Sequence, residues 1–139
     1  MNHAAQQAAQ AYSQIGVQSG VGSASPEQLI QMLMAGCLDR LAAAHGAMQR
    51  GEVSNKVRDI SKAMAIIDGL RCSLDSSADA SLCENLEALY DYMNRQLLQA
   101  NLHNEANYIE EVVGLMKGLK DAWDQVVSQQ QPVLSAGAV

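Results

Sequence analysis

Ser25-Pro26-Glu27-Gln28-Leu29-Ile30-Gln31-Met32-Leu33 is the stretch on which the fold turns. Ser25 can accept a hydrogen bond from a first-turn amide. Pro26 suits the first helical position, and Gln28 can reach back to complete a capping box. The apolar residues Leu29, Ile30, Leu33, Cys37, Leu38, Leu41, Ala44 and Met48 recur in steps of three and four, which puts them on one helix face. Gly51 supplies the stop.

Three more helices follow by the same signals. Ser54 can cap a second, with the stripe Val57, Ile60, Met64, Ile67, Leu70 and Leu74, widened by Ala63 and Ile66. Asp75-Ser76-Ser77-Ala78-Asp79 reads as a loop. Ser81-Leu82-Cys83-Glu84 is a second capping box, and the third stripe is Leu82, Leu86, Leu89, Tyr90, Met93 and Leu97. Asn104 can cap a fourth helix, with Ile109, Val112, Val113, Met116, Leu119, Trp123, Val126 and Val127 on its apolar face. Asp91–Arg95, Lys117–Asp121 and Lys120–Asp124 have the i,i+4 spacing of surface ion pairs. Short connections imply antiparallel neighbours, so the expected fold is all-α: an up-down four-helix bundle with an additional short N-terminal helical or cap segment.

The bundle is expected over residues 25–131. Before it, residues 1–24 form a flexible N-terminal segment and linker. Ala4, Ala8, Tyr12 and Ile15 make a weak helical stripe there, followed by a Gly- and Ser-rich tether from Gly16 to Ser23. Pro132 marks the end, and residues 132–139 read as a disordered tail.

The composition agrees and excludes several function classes. Four Tyr, one Trp, no Phe and no Thr leave little material for a sheet. Nine basic residues spread along a chain of net charge −6 make no groove for phosphates, so no nucleic-acid partner is expected. No apolar run approaches the roughly 20 residues of a membrane span, and no secretory signal opens the chain, so a cytosolic protein without membrane insertion is expected. Three cysteines without CxxC spacing argue against a disulfide framework or a zinc site and read as core residues.

No enzyme chemistry emerges. A di-iron bundle needs Glu-x-x-His pairs, and none of His3, His45 and His103 has one. No nucleophile–base set stands out, and no metal or cofactor is implied. The alternative with some basis is a histidine phosphotransfer bundle using His45, although the Lys and Gly that usually follow such a histidine are missing. Gly114 and Gly118 share a face of the fourth helix and suggest close helix approach or room for a partner, or else tolerated surface glycine. Six internal methionines and surplus apolar positions, such as Ile66 beside Ile67 and Tyr90 near Tyr92, suit a groove that receives partner helices.

Four segments in order resemble the flagellar secretion chaperone family, FliS. They are Ser25 to Leu33; Ile66-Ile67-Asp68-Gly69-Leu70-Arg71-Cys72-Ser73-Leu74-Asp75; Glu84 to Met93 with Leu97-Leu98-Gln99-Ala100-Asn101; and the helix ending in Ala122-Trp123. The resemblance covers residues 12 to 127. Met34-Ala35 depart from the family's aromatic and acid, and the lack of Phe is a second departure. The resemblance implies a non-enzymatic chaperone that binds the disordered C-terminal region of flagellin in apolar grooves and blocks premature polymerisation. It suggests Ile67, Leu70, Leu74, Tyr90 and Met93 as flagellin-groove residues. It also suggests Tyr12 and Ile15 as a self-cap that flagellin displaces. The flagellar export gate and an anti-sigma regulator are further candidate partners, and monomer and homodimer both stay open.

Overall fold

A computed structural model of the chain describes residues 23–75, 77 and 79–129. Within them lie four helices: α1 (Pro26–Gln49), α2 (Val53–Cys72), α3 (Ala80–His103) and α4 (Ala106–Gln129). Each packs on its chain neighbours, and α1 also packs on α4, which closes the bundle. Side-chain contacts establish the directions. Gln31 Nε2 donates to Asp124 Oδ1 at 2.7 Å, while His45 Nε2 lies 2.9 Å from Glu110 Oε2, so α1 and α4 run oppositely. Arg71–Glu87 and Lys56–Asn101 do the same for α2 and α3. The bundle is therefore up-down, as the loop lengths imply.

The α1 start is as read: Ser25 Oγ accepts from the Gln28 amide at 3.1 Å, and Gln28 Oε1 accepts from the Ser25 amide at 3.0 Å. Its end is a Schellman turn. The Glu52 amide donates to the Ala47 carbonyl at 2.9 Å and the Gly51 amide to the Met48 carbonyl at 3.3 Å, with Gly51 at φ 70°. Glycine is needed there because an L side chain resists that conformation.

This tight reversal corrects the Ser54 cap. The chain has turned by Glu52, so α2 starts at Val53 and Ser54 lies inside it. The α3 cap is also corrected. Asp79, in extended backbone, accepts from the Leu82 amide at 3.0 Å, and Ser81 lies within the first turn. A carboxylate there also complements the positive end of the helix. Asn104 terminates α3 in the left-handed region rather than capping α4. Asn tolerates that conformation better than most residues. Of the three expected surface pairs, Asp91–Arg95 (3.1 Å) and Lys120–Asp124 (2.8 Å) form, whereas Lys117 and Asp121 are outside ion-pair reach.

The core is a continuous apolar column, including Leu33, Cys37 and Leu41 from α1, Ile60, Ile66 and Ile67 from α2, Met93 and Leu97 from α3, and Ile109, Val112 and Met116 from α4. Ile66 and Ile67 are both fully buried, so neither is surplus. Gly114 and Gly118 face open space: a Cβ at either would meet nothing within 4 Å. They are surface glycines, not points of close helix approach.

Candidate functional site

The three connections differ in length. Residues 50–52 join α1 to α2 and residues 104–105 join α3 to α4, but the α2–α3 connection runs over residues 73–79. The end of the bundle bearing the long connection opens into a pocket of about 290 Å³. Ile30 and Met34 line it from α1, Leu70 from α2, Ser73 and Leu74 from the start of the connection that follows, Leu82, Leu86 and Tyr90 from α3, and Leu119, Ala122, Trp123 and Val126 from α4. Leu82 and Val126 are exposed at its mouth. All four helices contribute, so the pocket exists only in the assembled bundle.

Its wall is almost wholly hydrocarbon, and two of its polar side chains, Trp123 and Ser73, are held by hydrogen bonds within the bundle. Trp123 Nε1 donates to the Glu27 carbonyl at 2.9 Å, which fixes the indole against the start of α1. The Ser73 hydroxyl donates to the Gly69 carbonyl at 2.9 Å, closing the last turn of α2. Burial, with a smaller contribution from Cys37, pushes the Tyr90 phenol up to about 12, so it keeps its proton across the physiological range.

Of the residues suggested for a groove, Leu70, Leu74 and Tyr90 line this pocket together. Ile67 and Met93 sit deeper in the column and are fully buried. Tyr12 and Ile15 lie outside the described residues. Leu86, Leu119, Trp123 and Val126 fall on the apolar stripes of their helices, the pattern of core residues. The signal that separates them from core is their position beside the long connection, where the helices have no further turn to pack against.

His45 lies elsewhere, in a shallow cleft between α1 and α4 lined by Leu38, Ala42, Glu110, Val113 and Lys117. The Glu110 carboxylate stands against its Nε2. A phosphoryl group at that nitrogen would meet a negative charge, so the contact disfavours phosphotransfer. Among the described residues, no group of three or more His, Cys, Asp or Glu could hold a metal ion, and no helix is long and apolar enough to cross a membrane.

The fold and pocket define the class: an all-α four-helix bundle with an apolar recess at one end. Residues 8–130 match the family described as flagellar protein FliS. The chain is 48% identical over 117 residues to the flagellar secretion chaperone FliS of Salmonella typhimurium, covering 84% of this chain and 87% of that one. It is 50% identical over 117 residues to the Escherichia coli K12 chaperone of the same name, covering 84% and 86%. The flagellar secretion chaperone FliSB of Pseudomonas aeruginosa is 42% identical over 122 residues, covering 88% and 97%. The chain belongs to the FliS family of flagellar secretion chaperones.

Proposed function

We propose that this protein is a cytosolic, non-enzymatic export chaperone that holds the C-terminal segment of flagellin and keeps it from polymerising before secretion. The observation that carries the reading is the apolar pocket shared by all four helices, in a family whose relatives are named for flagellar secretion. Flagellin's terminal segment is an amphipathic strand of a coiled coil. Its apolar face pairs with other subunits unless something covers it. Ordering such a segment costs several kcal/mol, so it must bury wide apolar surface in return. Leu70, Leu74 and Tyr90 supply part of that surface directly. Ile67 and Met93 support it from beneath.

Titration calorimetry with a peptide of the last roughly 40 residues of the cognate flagellin tests this, a length matched to the area of a coupled-folding partner. One-to-one binding with a large negative heat-capacity change is expected. A folded bundle that shows no binding at micromolar concentration would refute the reading.

The N-terminal segment is the proposed self-cap, with Tyr12 and Ile15 covering part of the groove until flagellin arrives. A Tyr12→Ala chaperone should then bind flagellin more tightly, because a competitor is lost. Unchanged affinity would count against the cap.

A further inference from the structure

Three side chains with polar hydrogens line the pocket: Ser73, Tyr90 and Trp123. Two are engaged inside the bundle, Ser73 with the Gly69 carbonyl and Trp123 with the Glu27 carbonyl. The third is not. The Tyr90 hydroxyl makes no hydrogen bond to any described residue, in contrast to Tyr92, whose hydroxyl donates to Glu111 Oε2 at 2.6 Å. Nor is its oxygen sealed away. Among the described residues, Asn94 Oδ1 is the side-chain atom that is both fully buried and unpartnered. Tyr90 as a residue is 3% exposed and is one of the residues that line the pocket.

We infer that Tyr90 determines specificity in this pocket: its hydroxyl donates a hydrogen bond to an oxygen acceptor carried by the segment that enters, so that an apolar group bearing such an acceptor is selected over a purely hydrocarbon one. This rests on the chaperone reading above and names the chemistry that its pocket selects. A hydrocarbon plug would strip water from the hydroxyl and give nothing back, which is the usual basis of discrimination by a buried polar group. Burial raises the pKa of the phenol, which keeps the donor protonated at every pH where the cell operates. Ser73 cannot take this role, because its hydrogen is already directed at Gly69.

The test compares wild type, Tyr90→Phe and Tyr92→Phe by calorimetry with the C-terminal flagellin peptide, Tyr92 lying outside the pocket lining. Tyr90→Phe should weaken binding roughly 2- to 12-fold, the range of one net hydrogen bond, while Tyr92→Phe stays within about 2-fold. In parallel, the tyrosine ring carbon bearing the hydroxyl, observed by NMR in the wild-type protein, should shift on peptide addition at the resonance missing from Tyr90→Phe. Peptide variants with each Asn, Gln, Ser or Thr replaced then locate the acceptor. A replacement that weakens wild type but not Tyr90→Phe marks a side-chain acceptor, and none doing so marks a backbone carbonyl. Equal or tighter binding by Tyr90→Phe, with a silent NMR resonance, overturns the inference and leaves the chaperone reading standing. Absence of wild-type binding overturns both.

Discussion

Lys56 is 6% exposed and lies on the inner side of α2, where a sequence pattern would not put a lysine. It can do so because its ammonium donates to the Asn101 carbonyl at 3.3 Å and to Asn104 Oδ1 at 3.1 Å. Those partners are 45 and 48 residues away, so no local pattern reveals them. Asp59, also buried, is met by Arg40 at 3.5 Å and Arg58 at 3.3 Å. With these two turned inward, Val53 and Val57 turn outward and are 65% and 40% exposed, which corrects the expected place of Val57 on the core stripe. Periodicity thus found the helix but missed part of its rotation. Lys56→Ala should cost about 1–3 kcal/mol by leaving the end of α3 unpaired, as urea unfolding would report. A loss below about 0.5 kcal/mol, the scale of an ordinary surface change, would refute that role. Cys37 offers a pH test. Burial pushes its thiol up to about 12, and Tyr90 reaches about 12 as well. Both protons are held to higher pH in the native state than in the unfolded chain. Stability from them is complete below about pH 8.5 and declines as pH climbs towards 12, by up to about 1.4 kcal/mol per unit for each group. Cys37→Ala should flatten that decline, and an unaltered slope would show that the thiol does not contribute.

Helix ends are where sequence and structure differ most. The four helices, their order and the α1 capping box were legible because each signal is local and repeated. The caps of α2 and α3 were not, because several Ser, Asp and Asn residues compete and the turn geometry chooses among them. Asp79→Ala should cost about 1 kcal/mol, whereas Ser81→Ala should be nearly silent, and thermal unfolding of the two variants decides between the caps. The reverse result would restore Ser81 as the cap. Along α4, Gly114→Ala and Gly118→Ala place a methyl group in open space. Each should stabilise the protein by up to about 1 kcal/mol, visible as a higher melting temperature. A lower one would mean that the glycines serve a contact absent from the isolated chain.

For the whole molecule, the bundle and its pocket depend on different things. Periodicity showed which residues are apolar but not the depth at which each lies, so Ile67 and Leu70 looked alike in sequence although only Leu70 reaches the pocket. What separates them is the long α2–α3 connection, a property of the assembled fold. Ala122 lines the pocket yet is exposed, so enlarging it fills the recess without entering the core. Ala122→Leu should leave the melting temperature unchanged or higher and weaken flagellin-peptide binding by about tenfold, about 1.4 kcal/mol. Full affinity in that variant would place the client elsewhere.

An even number of alternating helices has a practical outcome. Chain entry at Ser25 and chain exit at Gln129 lie at the same end as the pocket, while Gly51 and Glu105 lie at the other. A fluorescent or affinity tag placed directly at Ser25 or Gln129 would therefore sit at the pocket's end of the bundle. A probe or surface anchor attached at the turn around Gly51 or Glu105 would leave the pocket facing solution.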